Sequence, residues 1–160
     1  MDTTPQTGSM NILPGHLDHP GVIALLEAHL RDMQAITPAE SVHALDLSGL
    51  RAADIHFWSA WVGDTAVGCG ALRDLGGGQG ELKSMRTDAA RRGQGIGAAL
   101  LTHLLGQARE RGIEQLWLET GATAHFAPAQ RLYARAGFER CGPFADYTDD
   151  PHSLFMTLRL

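Results

Sequence analysis

The 160-residue sequence predicts a mixed α/β domain whose sheet is largely antiparallel and flanked by helices. Three observations lead there. Short apolar or alternating runs bounded by Gly, Asp or Pro recur along the chain, as strands do. Longer stretches repeat their apolar residues at three- and four-residue spacing, as helices do. The strand-like runs at 55–63, 65–75 and 81–87 follow one another through turn residues with no helix between them, which makes hairpins.

Residues 1–9 are polar and contain Thr, Pro and Gly, so a frayed extension is expected before a single domain over 10–160. "MNIL" from Met10 reads as a short first strand. In "HPGVIALLEAHLRDM", Val22, Leu25, Leu26, His29, Leu30 and Met33 share one helical stripe, and a second helical stretch is expected within "PAESVHALDLSGLRA". "IHFWSAWVG" and "TAVGCGALRDL" are strands around Gly63 and Asp64. The cluster from Gly76 to Gly80 is expected as a flexible hairpin, because the strand "ELKSMRT" follows it and not a helix. Ile96, Leu100, Leu104 and Ala108 form the next helical stripe, which ends near Gly112. "IEQLWLET" reads as a buried strand, "APAQRLYARAG" as a helix with proline at its start, and "SLFMTLRL" as a closing strand.

Composition sets the class of protein. A chain that is 44% hydrophobic at this length buries one proper core, and no stretch approaches the ~20 apolar residues of a membrane span. The start "MDTTPQTGSMN" lacks the basic and apolar regions of a secretion signal, so a soluble cytoplasmic protein is expected. Cys69 and Cys141 lie in apolar surroundings without a nucleophile motif and are expected as structural thiols. The net charge of −5 argues against general nucleic-acid binding. Against that acidic balance, Lys83, Arg86, Arg91 and Arg92 crowd one short segment.

That segment leads into Arg92-Gly93-Gln94-Gly95-Ile96-Gly97, on a junction from strand to helix. Glycines there allow unusual backbone angles and close approach of a ligand, and the first N–H groups of the helix are unpaired, so an anion is favoured. Neither familiar nucleotide loop is present. No Lys-Ser/Thr follows Gly97, as a Walker loop requires, and the spacing misses Gly-x-Gly-x-x-Gly.

The stretch instead resembles the Arg/Gln-x-x-Gly-x-Gly/Ala loop of the GNAT superfamily of N-acetyltransferases. Ala129, Tyr133, Gly137 and Phe138 are similar to that family's Ala-x-x-x-Tyr-x-x-x-Gly-Phe segment, and the resemblance covers roughly residues 10–160. "LETG", "FAPAQRLY", "CGPFADY" and "DPHSLFM" look like a branch of small bacterial GNAT proteins. One departure is Phe126, where relatives often carry Asn seven residues before the tyrosine, so that residue's contact is not carried over.

The resemblance implies an acetyl-CoA-dependent N-acetyltransferase on a sheet splayed in its middle, with direct transfer to an amine and no metal. Its pyrophosphate would lie on the nest from Arg92 through Gly93, Gln94, Gly95, Ile96 and Gly97 to Ala98, with charge from Arg91 and Arg92. Main chain at Met85 and Thr87, flanking Arg86, would pair with the pantetheine arm, and Ala129, Leu132 and Tyr133 would flank it from the other side.

An alkylammonium has no lone pair and must lose a proton before it attacks. Glu81 is the candidate base, at the offset from the loop where histone-acetylating relatives carry a glutamate; the alternative is a solvent-facing Glu at a strand start. Tyr133 matches the family's general acid for the leaving thiolate, against a Tyr merely packed on its helix. Ser41, His43, His125 and Tyr147 are acceptor-side candidates, and Asp146, Asp149 and Asp150 suit a cationic amine. His16, Asp18 and His19 lack a second ligand cluster, so no metal site is expected. The acceptor is a small-molecule or peptide amine whose identity the sequence leaves open, and a homodimer is compatible with the resemblance. Two alternatives compete: a catalytically silent acyl-CoA-binding module and a nucleotide-binding protein.

Overall fold

The computed structural model describes residues 10–38 and 47–160. Seven strands form one sheet in the order β1-β2-β3-β4-β5-β7-β6. They are β1 (Met10–Pro14), β2 (Ile55–Val62), β3 (Thr65–Gly76), β4 (Gln79–Thr87), β5 (Gln115–Gly121), β6 (Glu139–Cys141) and β7 (Ser153–Arg159). Every neighbouring pair is antiparallel except β4 and β5, which run parallel. A parallel pair needs a crossover, and α3 (Ile96–Glu110) supplies it.

Helix α1 (Pro20–Ile36) begins on the His19 imidazole, which accepts from the Gly21 N–H at 3.0 Å while Pro20 occupies the first turn. It packs Val22, Leu25 and Leu26 against Phe57, Trp61, Cys69 and Ala71 on one face of the sheet. On the other face, Leu101, Leu104, Leu105 and Ala108 of α3 meet Leu72, Leu82, Leu116 and Leu118. Helix α4 (Ala127–Arg135) adds Tyr133 to that same core. Each Leu buried this completely contributes about 2 kcal/mol of transfer free energy, so the two faces fix the register of the sheet between them.

The expected elements all appear, with three differences. Among the described residues of the second helical stretch Leu47–Leu50 form a helix, α2, and the part of that stretch over 39–46 lies outside the described residues. The glycine cluster is a tight turn in which Gly76, Gly77 and Gly78 all have positive φ. Strand β6 is new, and three residues are too few to show any period.

Candidate active site

The parallel pairing of β4 with β5 stops at Leu82↔Leu118, although β4 continues to Thr87 and β5 to Gly121. Within β4, Ser84 has φ 54°, and its register against β3 steps from Ala71↔Lys83 to Cys69↔Arg86, two residues facing three. This is a β-bulge. Its effect is to reverse the alternation of side chains. Leu82 and Met85, three apart, both reach the α3 core, whereas Glu81, Lys83 and Arg86 lie opposite Arg73, Ala71 and Cys69 on the α1 side. Between the parted strands lies a cavity of about 680 Å³.

One end of the cavity is the glycine loop. Gly93 and Gly95 have φ of +81° and +82°, and a Cβ on either would meet nothing within 4 Å among the described residues, so the space beside these two glycines is open. Gly95 caps α3 without a side-chain hydrogen bond, leaving the helix's first N–H groups to an anion. Gly97 is there for close packing: a Cβ would stand 3.3 Å from Leu132. Arg91, Arg92, Gly93, Gly95, Ile96, Gly97 and Ala98 all line the cavity, as do Met85, Arg86 and Thr87. Gln94 is exposed and does not. Neither Arg91 nor Arg92 forms an ion pair among the described residues, so both charges are available to a ligand.

Arg86 is turned elsewhere. Its guanidinium pairs with Asp32 of α1, which holds that carboxyl below its ordinary range, and its Nε is buried without a hydrogen-bond partner among the described residues. His29, one turn earlier on α1, is lowered to about 4 by burial and by the Arg86 charge, against which Asp32 pulls. It is a neutral imidazole at neutral pH.

On the opposite wall stand Ala129, Leu132 and Tyr133 of α4, with His125 and Phe126 from the 3-10 turn before it. Burial, then the Glu119 carboxylate, raises the Tyr133 phenol, keeping it protonated. Phe126 lies so close over Gly121 that a Cβ there would sit 1.9 Å from the ring. The departure at Phe126 is therefore a packing pair with Gly121.

Glu81 is not a solvent-facing strand residue. It is 1% exposed. Its Oε2 accepts from the Tyr147 hydroxyl at 2.6 Å and from Lys83 Nζ at 3.1 Å, and Lys83 Nζ also donates to the Tyr147 oxygen at 2.9 Å. Glu81 Oε1 is buried with no hydrogen-bond partner among the described residues. Tyr147 comes from the loop between β6 and β7 and packs on Phe144 and Phe155, with Phe144 stacked on Trp117. Burial and the Glu81 charge raise its phenol too, so the hydroxyl keeps its proton.

Other expectations resolve plainly. Ser41 and His43 lie outside the described residues. Asp146 and Asp149 are exposed and Asp150 accepts from the His152 N–H, so these acids do not line the cavity; Asp32, Glu81 and Glu119 do. His16 and His19 stand edge-on to Trp61 and Asp18 pairs with Arg51, which gives all three structural employment. Cys69 is fully buried, its thiol pushed up to about 12, and is no nucleophile. Lys83, His29, Asp32, Glu119 and His152 are cavity residues that the sequence reading left out. Lys83 carries a readable signal, since it shares a strand face with Glu81 two residues away.

The profile of the acetyltransferase (GNAT) family matches residues 22–138. The chain is 50% identical over 139 residues to the uncharacterized N-acetyltransferase YsnE of Bacillus subtilis (strain 168), covering 87% of this chain and 92% of that one. It is 43% identical over 136 residues to the IAA acetyltransferase of Azospirillum brasilense, covering 84% and 88%. Among solved structures, one from Klebsiella pneumoniae ascribed to an acyl-CoA N-acyltransferase superposes with a TM-score of 0.77 at 32% identity, covering 94% and 97%. The PaiA N-acetyltransferase of Thermoplasma acidophilum, in complex with coenzyme A, shares the fold with a TM-score of 0.72 at 16% identity, covering 95% and 99%.

Proposed function

Since the chain belongs to the acetyltransferase (GNAT) family and is an acetyl-CoA-dependent N-acetyltransferase, we propose how its own residues divide the work. The observation that carries the division is the pairing, in one cleft, of an uncapped helix N-terminus with a buried carboxylate on the parted strand. Bound acetyl-CoA supplies an activated thioester carbonyl. The open space over Gly93 and Gly95, the free N–H groups of α3 and the unpaired Arg91 and Arg92 fit its pyrophosphate. The unpaired edge of β4 from Lys83 to Thr87 fits an extended arm. Ala129 and Leu132 close the opposite side.

Glu81 takes the proton that the acceptor amine must lose. Its near-complete burial rules out free exchange with solvent and favours transfer through an intermediary over direct contact. Tyr133, held as a protonated phenol, donates to the leaving sulfur. The acceptor, a small-molecule or peptide amine, enters past His29, Asp32 and His125, with Tyr147 in its pocket. No described helix is long and apolar enough to cross a membrane, and the same reading has the enzyme working in the cytoplasm, where a homodimer is compatible with it.

A mass-spectrometric screen of amines, amino acids and peptide N-termini with acetyl-CoA tests the acceptor class. Glu81→Gln is expected to keep CoA affinity while lowering kcat ~10²- to 10⁴-fold, with partial recovery at high pH as free amine becomes abundant. Tyr133→Phe is expected to slow turnover without that recovery. Full activity of both variants across pH overturns the assignment.

A further inference from the structure

We propose that Tyr147 is the residue that meets the acceptor amine and passes its proton inward to Glu81, with Lys83 as the positioning cation behind both. The inference rests on the reading of Glu81 as the base. Glu81 borders the cavity but is only 1% exposed, so as a base it needs a partner that reaches further into that space. Tyr147 lines the cavity and its hydroxyl donates to Glu81 Oε2 at 2.6 Å, so a hydrogen-bonded path from cavity to carboxylate runs through the phenol.

The proton count closes without any further reactant. One N–H bond of the ammonium breaks as an O–H bond forms on the Tyr147 oxygen; the phenol's original O–H breaks as one forms on Glu81. The amine is left neutral, the phenol is restored and the carboxylate is protonated. A phenol is suited to this because its oxygen both donates and accepts. Lys83, 6% exposed, donates to the Tyr147 oxygen at 2.9 Å and to Glu81 Oε2 at 3.1 Å, which fixes the hydroxyl's direction. The aromatic wall of Phe144 and Phe155 holds the ring from the other side.

Charged and titratable groups among the described residues surround this cluster. Arg73 lies opposite Glu81 on β3 and is paired with Asp54, Glu119 on β5 accepts from Ser153, and His152 lines the cavity beside them. On α1, His29 and Asp32 line the same cavity.

The test uses the intact protein with acetyl-CoA and lysine, spermidine and phenethylamine as amine probes, taking whichever is turned over fastest. Tyr147→Phe keeps the ring and removes the hydroxyl. Its kcat at pH 7.5 is expected to fall roughly 100-fold with CoA affinity unchanged, the loss shrinking above pH 9 as the amine arrives neutral. Adding Glu81→Gln to it should cost little more, since both changes cut one path. In mixtures of H₂O and D₂O the native enzyme should show a curved dependence of kcat/KM, the mark of two protons in flight. A linear dependence overturns the relay even where the variant fails to fold. A slow Glu81→Gln beside a fully active Tyr147→Phe leaves Glu81 as base and removes the relay. A fully active Glu81→Gln removes the base reading itself. A raised KM at unchanged kcat in Tyr147→Phe reduces the tyrosine to acceptor binding and also overturns the proposal.

Discussion

Replacing Gly95 by Ala and by Asp separates what the loop does for folding from what it does for the ligand. Gly95 sits at φ +82°, ψ 8°, the left-handed region, and a Cβ there meets nothing within 4 Å. Strain is then the whole cost of Ala in the free protein, about 1 to 2 kcal/mol. Asp tolerates this region better than Ala, and its carboxylate faces the positive end of α3, a gain of about 0.3 to 1 kcal/mol. The stability order should therefore be Gly, then Asp, then Ala. For CoA the two variants change places, with Ala binding better than Asp. A carboxylate about 5 Å from a phosphate, at an effective dielectric of about 20, costs about 3 kcal/mol, or roughly 100-fold in Kd relative to Ala. Urea unfolding gives the first order and calorimetric titration with CoA the second. The difference between the two variants should shrink at high salt. If Gly95→Asp binds CoA within about threefold of Gly95→Ala at low salt, the pyrophosphate does not rest on the start of α3.

Two further outcomes follow from packing and protonation. His29, ordinarily near 6.5, is lowered to about 4 in the folded chain, so the unfolded chain takes up the proton first as pH falls. That share of stability is whole above about pH 6.5 and drains away towards pH 4, to a total of about 3 kcal/mol. Urea unfolding of His29→Gln at pH 7, 5.5 and 4 should show a flatter decline than the native protein; equal slopes contradict the burial argument. Gly121→Ala would put a Cβ 1.9 Å from the Phe126 ring, and the forced shift should lower stability by about 1 to 3 kcal/mol in thermal unfolding. Combining it with Phe126→Leu should cost less than the two single changes together, and simple additivity would show that the ring moves aside freely.

The sequence made most of the fold legible because the burial period of each long element agrees with its local chemistry. The stripe of Ile96, Leu100, Leu104 and Ala108 is buried as its spacing requires. The glycine loop was readable for a similar reason, since the role proposed for it is carried by backbone and its residues are contiguous. The proposed catalytic end was less so. Glu81 and Tyr147 are 66 residues apart and meet only because the turn after Phe144 swings back over β4. The bulge at Ser84 has no glycine to announce it, and without the bulge strict alternation would have put Met85 beside Lys83 and turned Arg86 away from α1. The packing of Phe126 on Gly121 was illegible too, because a glycine at the end of a strand looks like a turn residue until the ring above it is seen.

A sheet usually exposes its unpaired backbone at its rims, where another protein's strand can add to it and start aggregation. Here the rims are β1, five residues long, and β6, three. The stretch of β4 beyond Leu82 that faces β5 without pairing lies instead in the middle of the sheet, inside a cavity walled by helices on both sides. Access to it is limited by width. A slender, flexible molecule one chain across can slide in and complete the hydrogen bonding, while a pleated strand with side chains on both faces meets α1 on one side and α4 on the other. The protein thus keeps a sticky surface ready for its small ligand and out of reach of its neighbours.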